Sequence, residues 1–434
     1  MGWSETLLLY GALIGCFLFG GVLIGSTIGA VGIVGVTLAT GTRLWPTFGD
    51  VIWNTATSFT LVAIPLFVLM GEIILRSGLA QRFYGGVADL LRGVPGALAH
   101  TNIVGCAAFS ALAGSTVATA MTVGTVAVPE MRRRGYRDVL TLGSLTGGGC
   151  LGILIPPSIP MIVYASITQT SVLAIFMAGI LPGLLLALAF VLYIALRVLL
   201  QPDLAPSGEE AIEPPRSRLK GLRDCLPVAV LIMAVIGSMY FGIVTPTEAA
   251  GFGCLLALLL GLFYRDLGVK SLMLALRNAV TTSCVVMFIT LFAQFLSFAV
   301  VTSGVSRGLS GALAEAGIGP FAFFCLLIAI YVVIGMFIDG LSIMLLTVPV
   351  LFPVFEVMGY DAVWMGVVLV LLIELGALTP PMGLNLLAVQ SISNAPLGVI
   401  GRSSLPYAVI ILGFCLLLYA VPQIALLIPE LARQ

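Results

Sequence analysis

Two glycine- and proline-rich segments interrupt long apolar stretches of the sequence, and they constrain the fold more than any other feature. One covers residues 147–158 and the other residues 374–385. Proline lacks a backbone donor and clashes with the preceding turn, so a Pro-Pro pair at membrane depth divides a helix into two halves. Lipid offers no partner to the backbone groups that are freed, whereas an ion or a substrate does. Each segment is therefore predicted to be a broken helix at a binding site.

The two segments belong to a longer internal repeat. Glycines, prolines and one tyrosine recur at a constant offset of 224 positions, without a gap. The matched pairs are Gly93/Gly317, Pro129/Pro353, Gly135/Gly359, Tyr136/Tyr360, Gly152/Gly376, Pro156/Pro380, Pro157/Pro381 and Pro182/Pro406. A tandem of two repeats is predicted, as in many secondary transporters: residues 1–201, a cytoplasmic linker over 202–225, and residues 226–434.

Composition places the chain in a membrane. Apolar residues make up 60% and charged residues 9% of the sequence, against about 45–50% and about 25% in soluble proteins. A span needs about 20 residues, so an all-α polytopic membrane protein with about ten transmembrane helices is predicted. The formal net charge is zero and there is no basic face, which argues against nucleic acid as a partner. The eight cysteines lack Cys-x-x-Cys spacing and are interpreted as small buried residues.

Two apolar stretches are predicted to be re-entrant helical hairpins. Residues 96–131 are divided at Gly114-Ser115-Thr116 into two short arms. An arm of about 16 residues reaches about 24 Å, less than a hydrocarbon core of about 30 Å. The second hairpin, over residues 320–355, is predicted to turn at Asp339-Gly340. Both tips would then lie at mid-depth, where polar backbone groups need a partner.

The remaining segments are predicted to be crossings, surface arms or loops. They are two helices within residues 4–40, an interfacial loop over 45–54, amphipathic surface arms over 76–92, 264–277 and 307–315, and membrane helices over 57–74, 172–200, 226–243, 246–263, 280–301 and 404–427.

Charge and parity predict that the repeats have opposite orientations. The loop at residues 132–137 is strongly basic, whereas its repeat partner at 356–361 carries only acidic residues. By the positive-inside rule the first loop is cytoplasmic and the second external. Five crossings per repeat is an odd number, so the second repeat enters the membrane inverted. Both termini are then predicted on the external, periplasmic side.

Two inverted hairpins that meet two broken helices would enclose one chamber with two related ion sites. A hard cation such as sodium would be held there mainly by backbone carbonyls, hydroxyls and carboxylates. The first predicted site is Gly114, Ser115 and Thr116 with Gly148, Gly149 and Gly152. The second is Asp339, Gly340 and Ser342 with Gly376, Thr379 and Met382. An anionic substrate is predicted between them, near half-helix amino ends, at Pro157, Ser158, Pro381, Gly383 and Asn385.

Structural roles compete with functional ones at several of these positions. The glycines at 147–149 could serve only as a close-packing surface, and Asp339 could merely cap a helix. Glu72 and Glu374 are intramembrane carboxylates and hence functional candidates, although each lies near a span end where water could solvate it.

Two other polar residues are interpreted as structural. Glu248 has the spacing of a capping box, with Thr245 as the cap and Pro246 at the first helical position. His100, the single histidine, is assigned a structural role on the first hairpin arm.

Five motifs in order resemble the large membrane subunit (DctM-like) of TRAP transporters, the tripartite ATP-independent periplasmic class. They lie at residues 109–116 (FSALAGST), 152–158 (GILIPPS), 245–250 (TPTEAA), 335–339 (GMFID) and 378–385 (LTPPMGLN). The resemblance implies sodium-driven uptake of organic acids across the bacterial inner membrane, with two sodium ions as cargo in the sites named above. It also implies a periplasmic substrate-binding protein, a small four-helix membrane subunit, elevator-type movement and the fold of the broader ion-transporter superfamily. Because no such subunit precedes the first helix, the small subunit is expected to be a separate chain.

Two alternatives remain open at this point. A stand-alone sodium/anion symporter of the same superfamily would need no binding protein. An intramembrane enzyme is opposed by the absence of a Walker motif, a His-Glu-x-x-His motif or a nucleophile elbow, and by the single histidine. The substrate also stays open among four-carbon dicarboxylates, sialic acid, other sugar acids and keto acids.

Overall fold

The computed structural model describes residues 2–206, 217–264 and 267–432, and these ranges are helical without a strand. Residues 207–216 of the predicted linker lie outside the described residues. The helices before the linker are α1 (Trp3–Phe19), α2 (Ile24–Thr40), α3 (Trp45–Ala56), α4 (Ala63–Arg76), α5 (Leu79–Leu90), α6 (Ala97–Ala113), α7 (Thr116–Arg133), α8 (Asp138–Gly149), α9 (Ile159–Thr168) and α10 (Val172–Leu200). Those after it are α11 (Arg218–Tyr240), α12 (Pro246–Phe263), α13 (Val269–Thr302), α14 (Val305–Glu315), α15 (Pro320–Gly335), α16 (Gly340–Val357), α17 (Ala362–Leu378), α18 (Leu384–Ser393), α19 (Leu397–Ala420) and α20 (Gln423–Leu431).

The all-α polytopic membrane fold is confirmed. Seven described helices are long and apolar enough to cross a membrane, and further apolar helices are shorter. The shorter apolar helices include α9, α17 and α18. The broken helices α8–α9 and α17–α18 are each divided in two because glycine and proline end the regular hydrogen bonding between the halves. A short 3-10 helix, Cys150–Ile153, continues α8 into the first break.

Both halves of the chain present the same elements in the same order. Helices α6–α10 and α15–α19 each form a hairpin, a broken helix and a following helix. The Pro156-Pro157 and Pro380-Pro381 bonds at the two breaks are both cis. Gly135 and Gly359 also correspond, since both adopt a left-handed conformation after the second hairpin arm, with φ of 81° and 77°. The repeat seen in the sequence is thus a repeat of backbone structure.

The broken helices contact the opposite half of the chain. Helix α9 packs against α16 and α17, whereas α18 packs against α7 and α8. Near the end of α9, the Tyr164 hydroxyl donates to the Ala362 carbonyl at 2.7 Å. At the end of α18, Arg132 donates to the Ser393 carbonyl at 2.8 Å. Each half therefore completes the core of the other.

Glycines let the other helices pack closely. Gly25, Gly29 and Gly32 share one face of α2, and α13 packs against that face. A Cβ at Gly29 would lie 2.3 Å from the Phe292 ring, and one at Gly32 would lie 2.7 Å from the Phe295 backbone. Small residues at a membrane helix interface allow such an approach. Helix α4 packs against α12 and α13, and α11 packs against α12, so α2, α4, α11, α12 and α13 form a scaffold group.

Three predicted boundaries are wrong. Residues 45–56 form α3 instead of a loop, because Pro46 sits in the first turn, where its missing donor is harmless. Residues 269–277 of the predicted surface arm and the span predicted over 280–301 are parts of one 34-residue helix, α13. No glycine or proline interrupts residues 269–302, and the helix is about 51 Å long at about 1.5 Å per residue. The last span begins at Leu397 and ends at Ala420, because Pro422 is the N-cap of the next helix, α20.

The capping box predicted at Thr245 and Glu248 is confirmed, and the structural role of His100 stays a prediction. Thr245 donates its backbone N–H to Glu248 at 2.8 Å, and its hydroxyl accepts from the Glu248 backbone at 3.4 Å, which forms the capping box. The buried His100 ring contacts the Pro95 carbonyl at 3.2 Å.

All eight cysteines are free thiols. Their interpretation as buried residues is wrong for Cys16, Cys284 and Cys325, which lie on exposed faces of α1, α13 and α15.

Candidate functional site

Both hairpin tips and both helix breaks border one cavity of about 330 Å³. We call Gly114, Ser115 and Thr116 tip 1, and Asp339 with Gly340 tip 2. The scaffold group closes the opposite side of the cavity through α4 and α13. The polar side chains in its wall are Glu72, Ser115, Thr116, Thr122, Thr282, Asp339, Glu374 and Asn385. The cavity thus lies between the scaffold group and the hairpins and broken helices of the two repeats.

Tip 1 is built by a left-handed glycine and a helix cap. Gly114 has φ of 57° and ends α6, and the Ser115 hydroxyl accepts from the Ala118 backbone at 3.4 Å to start α7. Tip 1 rests on the first break, since a Cβ at Gly152 would lie 2.6 Å from the Thr116 Cα. The Gly114 backbone likewise approaches the Pro157 carbonyl. Any side chain at position 152 must displace the tip.

Tip 2 uses a carboxylate in place of the hydroxyl. Asp339 accepts from the Ser342 backbone N–H at 3.0 Å and caps α16. Gly376, which corresponds to Gly152 in the repeat, packs against Gly335 at the end of α15, where an added Cβ would lie 2.7 Å from the Gly335 Cα. Both breaks are therefore held against their hairpins by glycine contacts.

The three carboxylates in the cavity wall have different surroundings. Glu72 pairs with Arg76 at 3.1 Å and accepts from Asn278 at 3.2 Å. Asp339 lies at a helix amino end, whose dipole favours negative charge. Glu374 lies near the carboxyl end of α17, where the dipole disfavours negative charge.

Glu374 is almost completely buried, with 1% of its surface exposed, which contradicts the alternative that water solvates it at a span end. The Thr116 hydroxyl of tip 1 donates to its Oε1. Its Oε2 is buried and has no hydrogen-bond partner among the described residues. Glu374 is buried because α17 packs against α9 and α10 of the first half of the chain and against α15, α16 and α19 of its own half. No local sequence pattern indicates such packing.

Asn385 holds the start of α18 against the other repeat. Its amide nitrogen donates to the Thr146 carbonyl at 2.8 Å and to the Cys150 sulfur at 3.5 Å. Its Oδ1 is buried and, within the described part of the chain, has no partner. Asn385 Oδ1 is therefore, after Glu374 Oε2, a second buried oxygen without a hydrogen-bond partner on a residue that lines the cavity.

Six of the residues predicted for the sites line the cavity. They are Gly114, Ser115, Thr116, Asp339, Gly340 and Asn385. The residues that do not line it are Gly148, Gly149, Gly152, Pro157, Ser158, Ser342, Gly376, Thr379, Pro381, Met382 and Gly383.

Several residues outside the cavity have evident packing or capping roles. A Cβ added at Gly148 would lie 3.0 Å from the Cys106 sulfur, and one added at Gly149 would lie 3.1 Å from the Ala120 Cβ. The Ser158 hydroxyl caps α9, and the Thr379 hydroxyl donates to the Leu375 carbonyl at 2.6 Å. Met382 is 52% exposed, away from the cavity.

Several residues of this region were not predicted from the sequence. Thr282 lines the cavity from α13, a helix that was predicted as a surface arm followed by a separate span. Thr146 and Cys150 anchor Asn385 across the two repeats. No local motif marks a contact between residues so far apart in the chain.

Comparison with known proteins agrees with this architecture. A family model described as "Tripartite ATP-independent periplasmic transporter, DctM component" matches residues 11–424. The C4-dicarboxylate TRAP transporter large permease protein DctM of Pseudomonas aeruginosa is 33% identical, covering 87% of this chain and 88% of that protein. The sialic acid TRAP transporter large permease protein SiaM of Vibrio cholerae is 32% identical, covering 86% of this chain and 87% of that protein.

A solved structure has the same fold. The crystal structure of the Alcanivorax borkumensis YdaH transporter matches with a TM-score of 0.61 at 14% identity, covering 87% of this chain and 88% of that one. The related proteins are permeases and not enzymes. The match over nearly the whole sequence and the membrane fold together establish that this chain belongs to the DctM family, the large permease component of TRAP transporters.

Proposed function

We propose that the protein takes up an organic acid together with sodium, as the large transmembrane subunit of a TRAP transporter. The observation that carries the proposal is the single cavity at which two hairpin tips and two helix breaks meet. Breaks in membrane helices leave backbone groups that only a bound ion, a substrate or protein can satisfy. Secondary transporters place substrate and coupling ions at such an interface of two repeats.

Two sodium ions are proposed as cargo, one at each tip. The first ion would use oxygens of Ser115 and Thr116 and the backbone at the first break, including Gly152. The second would use the Asp339 carboxylate and the backbone around Gly340 and Gly376. Both sets supply oxygen ligands, and tip 2 adds a negative charge. The remaining residues predicted for the ion sites would act indirectly. Ser342 would orient the Asp339 carboxylate through its backbone N–H, and the others would shape the breaks that present the oxygens: Gly148, Gly149, Thr379 and Met382.

The substrate is proposed to be a carboxylate bound between the tips. The first turns of α9 and α18 border the cavity, through Ile159 and Pro160 on one side and Leu384 and Asn385 on the other. Helix amino ends favour negative charge, so two of them form a suitable site for a carboxylate. The related permeases are named for C4-dicarboxylates and sialic acid, which are both carboxylates.

Two partner proteins are proposed from membership of the family. A periplasmic substrate-binding protein would deliver the acid, and a small four-helix membrane subunit, as a separate chain, would brace the scaffold group in the bacterial inner membrane. Elevator-type movement would carry α6–α10 and α15–α19 past that scaffold. Its support is the position of the cavity, whose wall combines Thr282 of the scaffold with both tips.

The two repeats are proposed to thread the membrane in opposite directions, with both termini periplasmic. The contacts of Tyr164 with Ala362 and of Arg132 with Ser393 support this, because each half-helix then ends beside the loop that starts the other broken helix.

Labelling of engineered cysteines tests the orientation. Arg133→Cys and Val357→Cys occupy equivalent, exposed positions of the two repeats. We expect a membrane-impermeant maleimide to label position 357 from the periplasm and position 133 only after the membrane is opened. The exposed Cys16, Cys284 and Cys325 would first be replaced by serine. Labelling of both positions from the same side would contradict the inversion.

Reconstitution tests the proposed activity. Proteoliposomes with the chain and its small subunit, supplied with the binding protein and a radiolabelled C4-dicarboxylate or sialic acid, should accumulate substrate under an inward sodium gradient. An equal potassium gradient should not drive uptake. Sodium-independent uptake would contradict the coupling, and full uptake without either partner would favour a stand-alone symporter.

A further inference from the structure

Helices α5 and α11 are in backbone contact with each other. A Cβ added at Gly86 would lie 2.6 Å from the Gly221 carbonyl oxygen, and one added at Gly221 would lie 2.8 Å from the Gly86 carbonyl oxygen. Small residues allow membrane helices to approach this closely. Just beyond the end of α5, the Arg92 carbonyl accepts from the Arg218 guanidinium at 3.5 Å. The contact joins the surface arm of the first repeat to the first helix of the second.

Basic side chains collect around this contact. Arg218, Lys220 and Arg223 lie in the first two turns of α11, and all three are exposed. None of them forms an ion pair in the described part of the chain. The arm adds Arg82 and Arg92, one on each side of the glycine contact. We call residues 79–92 together with residues 218–226 the α5–α11 patch.

The acidic side chains of the α5–α11 patch do not cancel its positive charge. The patch has five basic and two acidic residues, a surplus of three positive charges in a chain whose formal net charge is zero. Asp89 and Asp224 are only partly exposed, and Asp89 Oδ2 is buried without a hydrogen-bond partner among the described residues. The exposed charge of the patch is therefore positive, which suits an anionic ligand.

The basic side chains of α11 lie at the level of the lipid phosphates. Residues 225–244 carry no charged side chain, and α11 is long and apolar enough to cross a membrane. About 20 such residues span a hydrocarbon core of about 30 Å. Lys220 and Arg223 come just before this segment, so they lie at a membrane interface, which is the cytoplasmic one in the orientation proposed above. Anionic lipids attract Lys and Arg at this depth.

Exposed leucines adjoin the basic side chains of α11. Leu219, Leu222 and Leu226 have 75%, 54% and 56% of their surface exposed. Their i, i+3, i+7 spacing places them on one face of the helix, other than the face of the buried Gly221 and Cys225. Leucines beside basic side chains offer apolar surface to an acyl chain and positive charge to its headgroup. A soluble anion would leave the leucines uncovered.

We propose that the α5–α11 patch is a binding site for an anionic phospholipid. The phosphate would contact the three basic side chains of α11, and an acyl chain would lie along the exposed leucines. Helix α5 also holds the first hairpin, because the Tyr84 hydroxyl donates to Asn102 Oδ1 at 2.8 Å. A lipid that bridges α5 and α11 therefore stabilises the junction between the scaffold group and that hairpin. The inference depends on neither the cargo nor its coupling ion.

Lipid binding to the full-length chain, delipidated in a neutral detergent, tests the site. Native mass spectrometry should show a preference of about 100-fold for dioleoyl phosphatidylglycerol over dioleoyl phosphatidylcholine, because each of the three basic side chains of α11 contributes about fivefold. The two lipids share their acyl chains and differ in net charge. Phosphatidylglycerol should also raise the melting temperature, since a ligand of the native state stabilises it, and about 0.5 M salt should abolish this rise.

Two triple variants with the same loss of charge locate the site. The patch variant combines Arg218→Gln, Lys220→Gln and Arg223→Gln, and it should lose the preference for phosphatidylglycerol. The control variant combines substitutions at exposed positions outside the patch and should keep the wild-type preference: Arg43→Gln, Arg307→Gln and Arg402→Gln. Should the patch variant prove unstable, Arg223→Gln alone must lower the preference about fivefold.

Each outcome decides the site. Equal affinity of wild type for the two lipids, or an unchanged preference in the patch variant, would overturn it. An equal loss in the control variant would attribute the preference to net charge and overturn it as well. Displacement of phosphatidylglycerol by excess glycerol 3-phosphate would show a site for free phosphate instead of a lipid. These assays contain no transported acid, so a negative result leaves the proposed transport function standing.

Discussion

Replacing Gly152 by alanine is expected to lower sodium-dependent uptake severely while leaving membrane insertion intact. The new Cβ would lie 2.6 Å from the Thr116 Cα and 2.9 Å from its backbone nitrogen. The backbone of tip 1 cannot rotate away as a flexible side chain can, so the tip must shift. Overpacking of this kind costs about 1–3 kcal/mol. That energy lowers the population of protein in which tip 1 keeps its ion-binding geometry by about 5- to 150-fold.

Initial uptake rates at limiting sodium measure this effect. Gly413→Ala is a matched control, because Gly413 lies within α19 and an added Cβ there meets no atom within 4 Å. The control should transport at the wild-type rate. Wild-type sodium affinity and rate in Gly152→Ala would show that tip 1 does not form the first ion site.

Replacing Asp339 by asparagine should raise the sodium concentration at half-maximal uptake about tenfold or more, because a loss of about 1.4 kcal/mol of binding free energy lowers an affinity tenfold. Asparagine caps a helix about as well as aspartate, so this substitution removes the charge but keeps the bond from the Ser342 backbone. Asp339→Ala, by contrast, also removes the cap and should further destabilise α16 by about 1 kcal/mol. The two variants therefore separate ion binding from capping.

Asp361→Asn is the control for this comparison. Asp361 caps α17 by accepting from the Val363 and Trp364 backbones at 2.8 and 2.9 Å, and it does not line the cavity. Its variant should keep wild-type sodium dependence. If Asp339→Asn also kept it, Asp339 would be only a helix cap, and the second ion site would need other ligands.

Local chemistry made much of the fold predictable. Both hairpins turn where the sequence places them, at Gly114 and before Gly340, because glycine and capping residues at those positions end one helix and start the next. The prolines at both breaks likewise end a helix through local effects on the backbone, which extend over only a few residues. Where such signals are absent or ambiguous, the boundaries were wrong. The continuous α13 and the helix that Pro46 begins are the examples.

Long-range packing decided the rest. The sequence by itself determined the membrane class, the repeat, the two hairpins and the two breaks, since each depends on the local rules of backbone hydrogen bonding in lipid. Only the tertiary structure decided which predicted residues meet at the cavity. It brought Thr116 against Glu374 and Asn385 against Thr146, contacts that join residues more than 230 positions apart. Glu374 is a buried carboxylate rather than a solvated one because helices distant in sequence cover it, and burial of that kind depends on the whole fold.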